Sequence, residues 1–354
     1  MNVRMFGLLL VFLLIVSVFS LSLVFAVEDS WVEKAQMPTA RFSFGLAVLD
    51  GRIYAIGGAV DTEFGEVTGV NEVYEPVADV WVEKEAMPTP RYGCAVVAYD
   101  GRIYVFGGAS NNTYLNATEV YDPTTDSWET RTSMPTARGL LQANVVDDKI
   151  YLIGGYGNQT INEVYEPATD SWTTKSSIPT GVASYCSAVV DNKIIVISGT
   201  ATNLTQIYDP QADTWSSGAY IPVKVYGAAV AVVKDTEGTK AVYVIGGETD
   251  VFSPQNITQI YFPKNNSWST RASLPNVNSR LSATTVDNSI YTIGGTRATI
   301  HKGLAENLQY TPSNTIPEFP TPIILPIVLI TAVMAIFLRQ KLHRNINSTI
   351  ILGS

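Results

Sequence analysis

Short apolar runs alternate along the chain with glycine-rich and polar breaks, and the breaks recur. Segment 45–58, GLAVLDGRIYAIGG, carries apolar residues on both sides of Asp50-Gly51. That is the pattern of two short strands joined by a tight turn. The apolar-Tyr-x-x-Gly-Gly element returns as RIYAIGG, RIYVFGG, KIYLIGG, AVYVIGG and SIYTIGG, with the variant KIIVISG before the fourth. The first doublet positions are Gly57, Gly107, Gly154, Ser198, Gly246 and Gly294, at intervals of 50, 47, 44, 48 and 48 residues. A glycine pair ends a strand without side chains and admits positive φ. None of the connections has a helical period, which excludes parallel βαβ units. A repeat of this length points to a ring of small sheets.

A second element follows each doublet: NEVYEP, TEVYDP, NEVYEP, TQIYDP, TQIYFP and NLQYTP. Seven residues after Tyr74, Tyr121, Tyr165, Tyr208 and Tyr261 stand Trp81, Trp128, Trp172, Trp215 and Trp268. The Asp or Glu and the Pro that follow most of these tyrosines set a turn. The tryptophans are expected in equivalent, largely buried places between sheets. Trp31 has no tyrosine before it and Tyr310 no tryptophan after it. One repeat is therefore split between the two ends, and residues 30–34 should supply its outer strand, closing the ring.

These elements resemble kelch repeats, over residues 31 to about 312. The resemblance implies an all-β, six-bladed kelch-type β-propeller, each repeat a four-stranded antiparallel blade. It also implies that ligands meet the face made by the loops into the innermost strands and the loops after the glycine pairs. The first set of loops follows MPTAR, MPTPR, MPTAR, IPTGV, IPVKV and LPNVNSR. They carry Arg41, Arg91, Arg138, Lys224 and Arg280, with Tyr92, Tyr185 and Tyr226 close by; Arg280 lies two residues later than the other arginines. Arginine and tyrosine converging on a channel mouth would suit an anionic or sugar-like ligand, through bidentate bonds and ring stacking.

Both ends of the chain read as membrane segments. Residues 1–26 hold Arg4 and then a long apolar run ending Val24-Phe25-Ala26, a signal peptide or signal anchor. Residues 27–312 form the propeller and 313–320 a proline-rich linker. Residues 321–338, TPIILPIVLITAVMAIFL, read as one transmembrane helix, and 339–354 as a short tail whose Arg339, Lys341 and Arg344 favour the cytoplasmic side. Pro317-Glu318-Phe319, the apolar helix and the basic cluster resemble the carboxy-terminal sorting signals of archaeal surface proteins. The implied location is the plasma membrane, single-pass, with the propeller outside.

Charge and chemistry narrow the function. The net charge is −9, and residues 27–316 alone carry −12 once Arg4, Glu318, Arg339, Lys341 and Arg344 are set aside. An acidic body without a basic stripe repels nucleic acid. Cys94 and Cys186 sit in apolar stretches of non-adjacent repeats and read as buried thiols, not a disulfide. Two histidines occur, His301 in the body and His343 beyond the apolar span, and no metal or cofactor motif accompanies them. The copper oxidases that share the repeat need two histidines and two tyrosines at the metal, a set this body lacks. Sugar mutarotases on kelch propellers need no metal. Asp79, Asp126, Asp170 and Asp213 repeat at turn positions, which favours turn structure over acid–base work. Six Asn-x-Ser/Thr sequons, at Asn111, Asn116, Asn158, Asn203, Asn256 and Asn265, mark candidate glycosylation sites, the first five in loops after the glycine pairs. The expected function is binding or adhesion at the cell surface, to a protein or glycan. The alternatives are a metal-independent sugar-modifying enzyme and an architectural envelope protein.

Overall fold

The computed structural model describes residues 29–61, 66–200, 202–235, 238–249, 253–297 and 302–312. The expected signal segment, linker, membrane helix and tail, and His301, lie outside the described residues. Within them all regular structure is strand. Six four-stranded antiparallel sheets follow one another around a ring, with two small hairpins in the loops.

Blade 1 comprises Gly45–Leu49, Arg52–Ile56, Asn71–Glu75 and Val80–Lys84, innermost strand first. Blades 2 to 5 repeat it, starting at Ala95, Ala143, Cys186 and Ala229. Blade 6 takes Ser282–Val286, Ser289–Ile293 and Asn307–Thr311 from the end of the ring. Its outer strand is Ser30–Glu33, in register Trp31 to Tyr310. The split repeat is thus closed by the N-terminal strand, and no blade is left with three strands.

Each blade is wedged against the next by an apolar cluster, six clusters for six junctions. The junction of blades 1 and 2, for example, packs Ile56 and Val73 with Cys94, Ile103 and Val105. Where the third and fourth strands pair, every tyrosine of the second element faces its tryptophan, at ring centroid separations of 4.9–5.1 Å. The tyrosines are fully buried. The tryptophans are only half-buried, contrary to expectation, because the outermost strand has solvent along one edge. Their role is to staple: each indole N–H donates to a backbone carbonyl just past the outer strand of the preceding blade, at 2.8–3.1 Å.

A second staple uses the turn acids. Tyr74, Tyr121, Tyr165 and Tyr208 donate their hydroxyls to Asp79, Asp126, Asp170 and Asp213 at 2.6 Å. The same carboxylate oxygens accept backbone N–H groups of Ala35, Glu85, Thr132 and Ser176 on the preceding blade. Asn266 replaces the acid in blade 5, and Asp29 serves Tyr310 in blade 6. All six Asp or Asn residues are left-handed, with φ of 48–57°, a region these side chains tolerate best after glycine. Cys94 and Cys186 are buried free thiols in separate clusters. Burial pushes the Cys186 thiol up to about 12.

Candidate functional site

The six loops that lead into the innermost strands meet around the axis. Each contributes one left-handed residue: Ser43, Gly93, Leu140, Ser184, Gly227 and Arg280, with φ of 50–61°. Their backbones form a closed circuit. The N–H of Gly93 donates to Ser43 O, Leu140 to Gly93 O, Ser184 to Leu140 O, Gly227 to Ser184 O, Arg280 to Gly227 O and Ser43 to Arg280 O, all at 2.6–2.9 Å. The collar ties all six blades together and fixes the diameter of the opening. The second glycine of each doublet lies behind it. At Gly58, for instance, φ is 110° and a Cβ would lie 2.9 Å from Phe42 O. Ser198 shows that the first doublet position tolerates a side chain, whereas the second is glycine in every blade.

Around and beneath the collar lies a cavity of about 720 Å³. Its rim carries Tyr92, Tyr114, Tyr156 and Tyr226, and its deeper walls are largely aliphatic, from residues such as Leu46, Val96 and Val230. Tyr114 and Tyr156 lie nearly parallel, 6.4 Å between centroids and 6° between planes. Gly139 makes room for this pair, since a Cβ there would come within 3.1 Å of the Tyr114 ring. Burial, and then the neighbouring Tyr92 and Tyr156, hold the Tyr114 hydroxyl above its ordinary value. The charged residues of the lining are Glu66 and Arg280.

At blades 3 and 4 polar groups on the wall and just behind it bond to one another. Gln142 Oε1 accepts from Ser187 N–H at 2.8 Å and lies 3.1 Å from Ser187 Oγ. Asn144 Oδ1 is also 3.1 Å from Ser187 Oγ. The Tyr185 hydroxyl accepts the Gln142 N–H and donates to Ile153 O. Burial is the main reason that this hydroxyl is pushed up to about 12.

The residues expected at the ligand face divide into two groups. Tyr92, Tyr185, Tyr226 and Arg280 do line the cavity. Lys224 is exposed but outside the lining. Arg41, Arg91 and Arg138 are fully buried, and reading them as ligand contacts is corrected. Each reaches a buried glutamate of its own blade, Glu72, Glu119 and Glu163, at 2.6, 2.5 and 2.7 Å. A threonine, Thr39, Thr89 or Thr136, donates to the other carboxylate oxygen. Burial lowers the guanidinium values of Arg41 and Arg138, against the pull of Glu72 and Glu163. Blades 4 and 5 use a neutral version, with Val182 and Val225 in place of arginine. There Gln206 and Gln259 bond the loop backbone at Thr180 and Val223, at 2.9–3.0 Å. Asn278 holds the arginine position in blade 6, donating to Gly294 O at 2.9 Å. Arg280 is consequently a collar residue, with its Nε 3.3 Å from Glu248.

Among the sequons, Asn111, Asn116, Asn158, Asn203 and Asn265 are exposed and Asn256 is half-buried. Asn116 and Asn256 donate their side-chain amides to Met134 O and Leu274 O. Sequence reasoning missed Gln142, Asn144, Ser187 and Tyr156. The available signal was departure from the repeat: where blade 3 has Asn144, the other innermost strands carry Ala47, Val97, Ala188, Ala231 and Thr284.

Comparison with known proteins bears on the fold. The family model described as "FKB95, Kelch-repeats domain" matches residues 82–236. The solved structure of YjhT is similar at TM-score 0.69, with 18% identity over 79% of this chain and 97% of that one. As many as 963 solved chains match, so the architecture by itself selects no activity. Comparison with curated proteins gave no match.

Proposed function

We propose that this chain, a six-bladed β-propeller of kelch repeats, is a cell-surface binding or adhesion protein that holds an extracellular protein or glycan ligand at the channel mouth. The observation that carries this reading is the cavity of about 720 Å³ on the loop face. Concave, mostly apolar sites with an aromatic rim and a few oriented polar groups are the usual form of ligand sites. Tyrosine supplies broad contact area with little side-chain entropy to lose. The apolar segments at residues 1–26 and 321–338 support display outside the membrane.

One observation favours the enzyme alternative: Glu248 is 3% exposed and its Oε2 is without a hydrogen-bond partner. A metal-independent sugar-modifying enzyme would use such a carboxylate as acid or base. Its Oε1, however, accepts Ser279 Oγ at 2.7 Å and faces Arg280, and Glu248 is outside the cavity lining. Binding is the better-supported reading.

The test has two arms. Protease added to intact cells should release the propeller, and deletion of residues 321–354 should send it into the medium. Folded protein in the cytoplasm would refute surface display. In the second arm the full-length chain is screened against immobilised glycans and extracellular proteins. Turnover of a sugar that is lost in Glu248→Gln would favour the enzyme reading instead.

A further inference from the structure

The cavity wall is uneven, and its unevenness is chemically specific. In blades 1, 2 and 5 the first channel positions are small or apolar, Gly45 and Leu46, Ala95 and Val96, Ala229 and Val230, and blade 6 has Ala283 beside Ser282, whose hydroxyl donates to Phe44 O at 2.6 Å. Blade 3 instead puts Gln142 on the lining with Asn144 buried behind it, and blade 4 has Ser187 beside them. The aromatic part of the rim is biased the same way. Of the four rim tyrosines, Tyr92 and Tyr114 come from blade 2 and its loops and Tyr156 from the loop of blade 3, while Tyr226 stands apart on the loop into blade 5. An aromatic wall and a polar floor therefore occupy one sector of the mouth.

The polar floor has a definite donor pattern. A backbone N–H only donates, so the Gln142 atom that faces Ser187 N must be the carbonyl oxygen. The amide is thereby oriented, and Nε2 of this cavity-lining residue is left as a donor. Ser187 Oγ has one proton and two acceptors at 3.1 Å, Gln142 Oε1 and Asn144 Oδ1. Asn144 is 4% exposed and its Nδ2 has no partner. Turning the Asn144 amide over would let Nδ2 donate to Ser187 Oγ, but would strand Oδ1 in its place. In either orientation one buried amide atom is unpaired, at a cost of roughly 1–3 kcal/mol. The remaining blades avoid this cost by carrying Ala, Val or Thr at that position.

We infer that the sector between blades 2 and 4 is a subsite for one neutral pyranose ring, an inference that rests on the channel-mouth binding reading. Tyr92, Tyr114 and Tyr156 cover the C–H face of the ring, and Gln142 and Ser187 pair with its hydroxyls. A sugar ring has an apolar face and a polar edge, which matches an aromatic wall above fixed amide and hydroxyl groups. The ligand is neutral because the three repeat arginines are consumed by glutamates and the collar cation Arg280 faces Glu248 at 3.3 Å. Glu66 on the same lining disfavours a carboxylate. A protein loop lacks the density of hydroxyls that this floor could satisfy.

The test uses the purified full-length chain in a detergent without a sugar headgroup. Binding of methyl glucoside, methyl galactoside and methyl mannoside is measured by ligand-observed NMR, with glucuronate as the charged counterpart. At least one neutral glycoside is expected to bind, and glucuronate at least tenfold more weakly. Gln142→Leu should weaken the neutral sugar tenfold or more, since a site built to pair a hydroxyl is penalised when its partner is lost. Tyr114→Ser, on a side chain already 40% exposed, should do so without affecting thermal unfolding. Tyr156→Phe, which keeps the ring, should retain binding. Tighter binding of glucuronate, or neutral binding indifferent to both Gln142→Leu and Tyr114→Ser, would overturn the subsite. If no glycoside binds while a protein from the extracellular panel is lost on Tyr226→Ser, the sugar subsite fails and the mouth reading stands. If nothing binds at the mouth, both fail.

Discussion

Replacing Arg138 by Met should destabilise the propeller far more than its distance from any ligand suggests. Arg138 is fully buried and Glu163 is 1% exposed. The pair meets at 2.7 Å, Arg138 also donates to Gly154 O at 2.8 Å, and Thr136 Oγ1 donates to Glu163 at 2.7 Å. Arg138→Met removes the cation and leaves Glu163 with one hydroxyl, a buried and uncompensated charge. Breaking such a pair costs about 3–5 kcal/mol. Glu163→Gln alone should cost about 3 kcal/mol, because the guanidinium keeps its backbone acceptors. The double variant recreates the neutral solution of blades 4 and 5, in which Gln206 bonds the Thr180 backbone at 2.9 and 3.0 Å. Met fills most of the space the guanidinium leaves, so the double should lose only about 1–2 kcal/mol, mostly to imperfect packing. The coupling between the two sites is then at least about 4 kcal/mol. The Arg138→Met and double variants then differ by about 2–3 kcal/mol, roughly 5 °C in Tm for a domain of this size. Calorimetry on wild type, both singles and the double gives the full cycle. An Arg138→Met chain that unfolds with wild type, or a double that loses the sum of the singles, would refute the assignment of the arginines to the core.

Trp172→Phe keeps a ring against Tyr165 but loses the N–H bond to Thr132 O at 2.9 Å, and should cost about 1 kcal/mol in urea unfolding. Trp172→Ala should cost about 2 kcal/mol; a loss of 4 or more would mean that the half-exposed indole is undercounted. Asp126 is held below its ordinary 3.8 chiefly by the Tyr121 hydroxyl and then by the Glu85 N–H. Asp213 is lowered by Tyr208 first, and Asp79 and Asp170 are lowered although burial alone would raise them. With folded values below unfolded ones, this stabilisation is complete above 3.8 and disappears as pH falls through the lower folded values. Replacing all four by Asn, as blade 5 already does at Asn266, should flatten that acid limb in a fluorescence titration; an unchanged limb would contradict it. Deleting residues 29–34 removes Trp31 and Asp29 from Tyr310, and should abolish cooperative thermal unfolding of the monomer.

The six-fold ring was legible because its constraints fall on residues few others can replace: a second glycine at φ near 100°, and a tyrosine buried against a tryptophan at fixed spacing. Ring closure followed from Trp31 and Tyr310 as the two unmatched members. The candidate site was legible only in part. A periodic arginine marks a periodic place, but its direction depends on whether a partner waits inside. The partner was visible: glutamate stands two residues before the tyrosine in the blades with arginine, and glutamine in those with valine. The collar could not be read, because a left-handed backbone there is occupied by Ser, Gly, Leu and Arg alike. Gln142 and Asn144 looked like noise in a strand and gained meaning only once Ser187 of the next blade came within 3.1 Å.

The central claim is that ligands meet the collar face, and it is tested most directly by comparing substitutions on the two ends of the channel. Tyr92→Ser with Tyr226→Ser alters the mouth. Asp147→Ser with Asp191→Ser alters the tight turns that join the first two strands of blades 3 and 4, on the other end. Both double variants, as full-length chains, are measured by surface plasmon resonance against the strongest binder from the glycan and protein panel. The mouth variant should lose at least tenfold in affinity and the turn variant less than twofold. Equal affinity in the mouth variant, or a loss confined to the turn variant, would contradict the claim.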